Sequence, residues 1–180
     1  MSSDLGSGAA LRRTVFYERH VAAGARMVDF GGWEMPVQYP SGFIEEHLAT
    51  RRHAGLFDVS HMGRFVFTGA GALPFLQRML TNNAAALEAG EAQYTVIPTA
   101  TGGAVDDAYL YRFFNDEYLL VVNAANREKD WGVFQAALAG TEFGDVSLTD
   151  RTDELVMLSL QGPESRRILS DLLEDGALPD

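Results

Sequence analysis

Two adjacent carboxylates, Asp106 and Asp107, lie within a segment that otherwise has the residue types of a β-strand. Aspartate is depleted in strands, and the glycine pair Gly102-Gly103 before the segment predicts a turn. Successive side chains of a strand point to opposite faces, so one of the two carboxylates accompanies the buried face. A buried carboxylate is unfavourable unless it is paired or hydrogen-bonded. The pair therefore indicates a functional site; the alternative is that one aspartate caps the turn while the other faces water.

Three tyrosines surround this pair. Tyr109 and Tyr111 share a strand face with Asp107, and Tyr94 belongs to the preceding predicted strand. An acid flanked by aromatic side chains suits a flat heterocycle that forms hydrogen bonds. Tyrosine is also a common residue of ordinary strands, so a purely structural role is the alternative for all three.

The histidines make a weaker case for chemistry. Asp58, Ser60 and His61 have the residue types of a catalytic triad, but they lie too close together in the sequence to form one. His47, His53 and His61 lack the spacing of a metal-binding motif. We therefore predict structural or surface histidines and no metal site.

The composition restricts the classes of function. The 180 residues are 47% hydrophobic, enough for a core, and carry a formal net charge of −11. That charge argues against binding to nucleic acid or to anionic membranes, which select basic surfaces. The chain has no cysteine, and Lys129 is its only lysine. The first ten residues lack an apolar signal region and no run reaches the length of a membrane span, so we expect a cytoplasmic protein.

Helical and strand patterns follow one another in the order helix, helix, strand, helix, strands, helix, strands, helix. Antiparallel hairpins mixed with helices indicate an α+β fold. The central part, residues 56–160, resembles a split β-α-β unit of the ferredoxin-like type.

Local signals give finer expectations. Thr14 is a candidate N-cap for the first helix, and Asn126 is one for a later helix. The alternation of polar and apolar residues over 56–68 predicts strand structure that is interrupted at Gly63. Gly162-Pro163 predicts the start of the last helix, with proline at its first position. The residues expected to be buried by that helix are Ile168, Leu169, Leu172 and Leu173.

Six short blocks occur in a fixed order along the chain. They are GARMVDFGGWEMP at 24–36, FDVSHM at 57–62, GGAVDD at 102–107, VVNA at 121–124, REKD at 127–130 and QGP at 161–163. Together they resemble the aminomethyltransferase family, the T-protein of the glycine cleavage system, and the resemblance covers nearly the whole chain after Leu11. Any one block would be weak evidence, whereas six in order are specific.

The resemblance implies an activity and an architecture. The family transfers a one-carbon unit from the aminomethyl-lipoyl arm of H-protein to tetrahydrofolate, giving methylene-tetrahydrofolate and ammonia. Its fold is a three-domain disc around a central cavity. This chain would supply the amino-terminal part: a ferredoxin-like middle domain at 56–140 and an incomplete first α+β domain at 11–55 and 141–180, after a disordered tail at 1–10.

The resemblance also assigns residues. Asp107 is then the catalytic carboxylate, which meets the pterin side of folate and orients its reacting nitrogens. Asp106, on the opposite strand face, becomes a structural acceptor, with the backbone N–H groups of the Gly102-Gly103 turn as candidate donors. Tyr109 stands where the family usually has a small aliphatic residue, so we expect it to narrow the folate slot or to stack on folate. The expected folate-binding residues are Met62, Tyr94, Asp107, Tyr109, Tyr111, Val121 and Asn123.

Two alternatives to this function stay open. One is a folate-dependent demethylase, or the folate domain of a sarcosine or dimethylglycine oxidising enzyme. The other is a non-catalytic folate-binding assembly protein of the same fold. The family's site includes a further acidic residue and an arginine that would lie beyond Asp180, so we expect residues 1–180 to be inactive alone. The expected partners are lipoylated H-protein and folate.

Overall fold

The protein is described here by a computed structural model that covers residues 10–140, 143–173 and 178. The chain forms two compact units. The first unit comprises Met1–Val59 and Met157–Asp180, and the second comprises Ser60–Val156.

Five α-helices and nine strands are present in the described part of the chain. The helices are α1 (Tyr17–Ala22), α2 (Phe43–Arg52), α3 (Ala72–Met79), α4 (Arg127–Gly140) and α5 (Ser165–Leu172). The strands are β1 (Arg26–Phe30), β2 (Trp33–Gln38), β3 (Gly55–Asp58), β4 (Gly63–Thr68), β5 (Ala92–Pro98), β6 (Ala104–Phe114), β7 (Glu117–Val122), β8 (Ser147–Asp150) and β9 (Leu158–Gln161). Among these helices, none combines the length and the apolar character that a membrane crossing requires.

The first unit is built from two antiparallel strand pairs and three helices. Strand β1 pairs with β2, and β3 pairs with β9. Helix α1 follows Phe16 without a side-chain cap, so the expectation that Thr14 caps it is wrong. The Thr14 hydroxyl instead donates a hydrogen bond to Asp58 Oδ2 at 2.5 Å, because tertiary contacts offer it a carboxylate acceptor.

The position of the interruption predicted within 56–68 is also wrong, because Gly63 begins β4 and the break precedes it. Strand β3 belongs to the first unit and pairs with β9, whereas β4 belongs to the second unit and pairs with β7 and β8. A turn at residues 60 and 61 separates the two strands. Alternation along a sequence does not show where a chain leaves one sheet for another, because pairing partners are distant in sequence.

The last helix begins later than predicted, and the leucine and isoleucine side chains expected to be buried by it are not buried. Helix α5 begins at Ser165, since Gly162 has φ of 108°, a conformation outside the helical region. A Cβ at Gly162 would lie 2.5 Å from the Thr50 carbonyl oxygen, so this close turn requires glycine. No residue of α5 is buried, and Leu172 is 72% exposed.

The second unit is a five-stranded antiparallel sheet in the order β5-β6-β7-β4-β8. Strands β4 and β6 run parallel to each other on either side of β7, and the chain between them contains α3. Strands β7 and β8 likewise flank β4, and α4 connects them. These are two interleaved split β-α-β units, with β5 added at the edge. The predicted α+β, ferredoxin-like fold is confirmed.

An aromatic cluster forms the core of the second unit on the helix-covered face of the sheet. Phe65 and Phe67 of β4 point to this face, as the strand period predicts, and both are fully buried. Phe134 of α4 lies edge-on to Phe67 with 5.3 Å between ring centroids, and Phe75 of α3 lies 6.2 Å from Phe134. Contacts from both helices therefore hold the sheet that carries the two aspartates.

The core position of Phe134 leads to a stability prediction. Phe134→Ala should lower the free energy of unfolding by about 3–5 kcal/mol, because it leaves a cavity among packed aromatic rings. Phe114→Ala, at the exposed end of β6, is the control and should change it by no more than about 0.5 kcal/mol. Urea unfolding of the 180-residue chain measures both; equal losses would show that Phe134 does not pack as described.

Candidate functional site

Strand β6 places the two adjacent aspartates on opposite faces of the sheet. Asp106 is 8% exposed and points to the same side as buried Ala108 and Leu110, whereas Asp107 and Tyr109 lie exposed on the other side. The predicted separation of Asp106 from Asp107 is thus confirmed. The structure also confirms that Asp107 and the tyrosines of β6 share a face.

Strand register assembles the remaining aromatic residues around Asp107. Tyr94 of β5 is the cross-strand partner of Tyr109, and Tyr109 is the partner of Val121 on β7. Tyr111 lies two residues further along β6, and its ring centroid is 5.2 Å from that of Tyr109. We call Tyr94, Asp107, Tyr109, Tyr111 and Val121 the tyrosine face.

Both oxygens of the Asp107 carboxylate accept hydrogen bonds from side chains. The Tyr94 hydroxyl donates to Oδ2 at 2.9 Å, and Asn123 Nδ2 donates to Oδ1 at 2.9 Å. The hydrogen bond to Asp107 is the main reason that the pKa of Tyr94 is raised, so its hydroxyl stays a donor at neutral pH. Asp107 is therefore an accessible carboxylate whose orientation is set from two strands.

Met62 lies at the same end of the sheet. Gly63 is the cross-strand partner of Val122, and Val122 is the partner of Ala108. One residue beyond these pairs, Met62 precedes β4, Asn123 follows β7 and Asp107 lies on β6. The register therefore places the three residues side by side at one end of the sheet. Five of the seven predicted folate-binding residues therefore lie on strands β5, β6 and β7, and the other two, Met62 and Asn123, flank the end of the sheet where Asp107 lies.

Asp106 is a hydrogen-bond acceptor, but its donors differ from those expected. Its Oδ1 accepts from Asn123 Nδ2 at 3.0 Å and from Asn126 Nδ2 at 2.9 Å. The Gly103 N–H donates instead to Thr99 Oγ1 within the turn, so the expectation that the glycine turn serves Asp106 is wrong. Burial alone would raise the pKa of Asp106, but these hydrogen bonds outweigh it and lower the pKa.

Asn126, the residue predicted to cap the helix, directly precedes α4 and also contacts Asp106. It lies in the short 3-10 turn Ala124–Asn126 that precedes α4, and its amide reaches across to Asp106. The turn positions this amide beside the strand because α4 packs on the same face of the sheet as Asp106.

Sequence reasoning missed Asp130, on α4. It is fully buried, and it lies four residues after Asn126, whose amide donates a hydrogen bond to Asp106. The pKa shifts of Asp106 and Asp130 agree with a hydrogen bond between the two carboxyl groups. Burial first, and then the hydrogen bond with Asp106 and the charge of Asp106, raise the pKa of Asp130 to about 7. The charged run 127–130 resembles a solvated helix start, and the available signals for Asp130 were its place in one of the six family-like blocks and its position shortly after Asn126.

The described residues contain no group of three or more His, Cys, Asp or Glu side chains arranged to hold a metal ion. Asp58, one of the residues considered for a triad, lies in the first unit and pairs there with His20. Its Oδ2 lies 3.0 Å from His20 Nε2, while His20 Nδ1 lies 2.8 Å from the Tyr39 hydroxyl. This buried polar cluster was not foreseen, because its members come from separate elements.

Comparisons with known proteins identify the family. The family described as the GCVT N-terminal domain matches residues 16–179. The aminomethyltransferase of Deinococcus deserti is 51% identical over 160 residues, which cover 89% of this chain and 44% of that protein. An aminomethyltransferase of Thermus thermophilus is 48% identical over 164 residues, covering 91% of this chain and 46% of that protein.

A solved structure agrees with these relatives. The crystal structure of glycine cleavage system aminomethyltransferase T from Bartonella henselae superimposes with a TM-score of 0.82 at 37% identity, over 89% of this chain and 43% of that chain. This chain spans less than half the length of the curated relatives it matches. With most of its residues matched by the family and its fold shared with a family structure, the chain belongs to the aminomethyltransferase family and corresponds to its amino-terminal part.

Proposed function

We propose that this chain is part of a cytoplasmic aminomethyltransferase of glycine cleavage. That enzyme transfers a one-carbon unit from the aminomethyl-lipoyl arm of H-protein to tetrahydrofolate and forms methylene-tetrahydrofolate and ammonia. The observation that carries the proposal is the accessible Asp107 carboxylate, held by Tyr94 and Asn123 beside two further tyrosines. Family membership supports the choice of reaction.

Asp107 is the proposed catalytic residue because its position suits a cationic transition state. An amine that attacks or releases a one-carbon unit gains positive charge, and a fixed carboxylate stabilises that charge. The same group can accept or return a proton during the transfer. Since both carboxylate oxygens already have donors, little reorientation is needed when the charge develops.

The tyrosine face supplies a binding surface for the flat ring of folate. Tyr109 and Tyr111 present adjacent rings beside Asp107, and buried Val121 lies next to Tyr109 on the neighbouring strand. Aromatic stacking surrounded by a few fixed polar groups is typical of heterocycle sites. Tetrahydrofolate is the substrate that accepts the one-carbon unit, so these residues hold and orient the acceptor.

Reconstitution tests the reaction. The gene product that contains this chain should form methylene-tetrahydrofolate when it is incubated with aminomethylated H-protein and tetrahydrofolate. The 180-residue chain alone should not turn over, because it spans less than half the length of its relatives. Demethylation of an N-methyl or S-methyl donor, with no transfer from the carrier, would favour the demethylase alternative; folate binding without either reaction would favour the assembly protein.

Asp107→Asn tests the catalytic carboxylate in that gene product. The substitution is nearly isosteric, so the fold should persist, while turnover should fall by roughly 100-fold or more, the scale of a lost acid–base or charge-stabilising group. Asp116→Asn, in the exposed turn between β6 and β7, is the control and should keep full activity. Turnover and melting temperature are measured for both, and near-normal turnover of Asp107→Asn would contradict the assignment.

The position of Tyr109 gives a separate test of the binding surface. Tyr109→Phe keeps the ring and should leave the KM for tetrahydrofolate within about threefold, whereas Tyr109→Ala removes the stacking surface and should raise it by roughly tenfold. Phe114→Ala, at the exposed end of β6, controls for a general effect on the strand. A lower KM in Tyr109→Ala would show that Tyr109 narrows the slot instead of stacking.

A further inference from the structure

Asp130 is a buried carboxyl group that the proposed reaction does not use. Its side chain is 0% exposed. Neither of its oxygens receives a hydrogen bond from any donor in the described part of the chain, and the same is true of Asp106 Oδ2. A buried ionised carboxylate without donors is strongly unfavourable. Asp106 has donors on Oδ1 only, so its Oδ2 and both oxygens of Asp130 require another arrangement.

A shared proton provides that arrangement. Two neighbouring carboxyl groups repel when both are ionised, and one proton between them removes the repulsion and supplies a hydrogen bond. Asp106 already accepts two amide N–H groups on Oδ1, which favours its ionised form. The proton therefore belongs to Asp130, whose O–H then donates to Asp106.

Few other charges face this pair. Asp107 lies next to Asp106 on β6 and adds a negative charge. Lys129, on α4, adds a positive charge, but its Nζ donates to the Val105 carbonyl at 2.7 Å and remains exposed to solvent. The Tyr94 hydroxyl, from β5, is a neutral donor to Asp107. Burial is the largest cause of the raised pKa of Asp130, about 7, and Asp106 is the next; Lys129 lowers this pKa and Asp107 raises it by smaller amounts.

One amide connects the buried pair to the exposed carboxylate. Asn123 Nδ2 lies 3.0 Å from Asp106 Oδ1 and 2.9 Å from Asp107 Oδ1, so it donates to both aspartates. Displacement of Asp106 would therefore shift the amide that orients Asp107. A misplaced catalytic group lowers rate even when it is chemically intact.

We propose that Asp130 is a positioning residue for Asp107, which shares one proton with Asp106 and thereby holds Asn123 between the two aspartates. Loss of that proton places a second negative charge next to Asp106 and weakens the arrangement. The link to catalysis rests on the proposed function of Asp107, whereas the shared proton does not depend on folate or on any reaction.

The shared proton gives stability a defined pH dependence. The unfolded carboxyl group has a pKa of 3.8 and the folded one a pKa of about 7. Between these values the folded state keeps a proton that the unfolded state has lost, so the contribution of Asp130 to stability falls as pH rises through this window and levels off above it. Asn at this position donates from its amide at every pH and has no proton to lose.

Melting temperatures of the 180-residue chain test this directly. The melting temperature of Asp130→Asn minus that of wild type should be at least about 3 °C higher at pH 8 than at pH 5. At this chain length, a change of about 1 kcal/mol in stability is enough to produce such a shift. Exposed Asp116→Asn is the matched control and should show no such pH-dependent difference. A difference for Asp130→Asn that is constant with pH would overturn the shared proton.

Infrared difference spectroscopy detects the proton itself. Wild-type chain should show a protonated-carboxyl band that disappears with a midpoint near pH 7, and Asp130→Asn should lack it. If wild type has no such band, or if the band persists in Asp130→Asn, the proposal is wrong. Neither measurement needs substrate, so both remain decisive if the gene product proves to have no aminomethyl transfer activity.

Kinetics separate positioning from a merely structural role. In the gene product, Asp130→Ala should lower kcat by roughly tenfold with little change in KM, because Asp107 is misplaced but the tyrosine face is intact. Asp130→Asn should keep most of the wild-type kcat. The wild-type rate should decline as pH rises through 7, because Asp130 loses its proton, and the rate of Asp130→Asn should not. Equal kcat for wild type and Asp130→Ala, in a protein that remains folded, would overturn the positioning role.

Discussion

The side chains of β6 alternate between the two faces of the five-stranded sheet, and this alternation is the constraint on which the site depends. It places Asp106 on the helix-covered face and Asp107 on the exposed face, although the two residues are adjacent. An exposed carboxylate can meet a substrate, whereas a buried one must be satisfied by the protein. Asp107 is therefore the carboxylate that is open to a substrate, and Asp106 is the one that bonds within the protein.

Asn123 can join the two sides because of where it lies in the chain. It follows the last residue of β7, so its amide is at the end of the strand and can contact both carboxylates. Asn126 directly precedes α4, and Asp130 is in the first turn of that helix. Both interact with Asp106. A single connection from β7 into α4 thus supplies every side-chain partner that the structure shows for Asp106.

The aromatic core makes this arrangement rigid. Phe134 of α4 packs against Phe65 and Phe67 of β4 and so fixes the helix that carries Asp130 over the sheet. Because buried side chains at native packing density have little room to move, the helix cannot withdraw from Asp106 without opening the core. On the tyrosine face, Tyr94, Asp107 and Tyr109 are exposed and can meet a ligand, whereas Val121 is buried.

Local sequence determined the α+β class, the ferredoxin-like order of elements and the opposite faces of Asp106 and Asp107, because each follows from short-range periodicity. Ordered motifs determined the family in the same way. Tertiary structure alone decided the partners of Asp106, the burial of Asp130, the division of 56–68 between two sheets and the exposure of α5. These depend on strand register and helix packing between residues far apart in the chain, and no local pattern encodes which donor meets which acceptor.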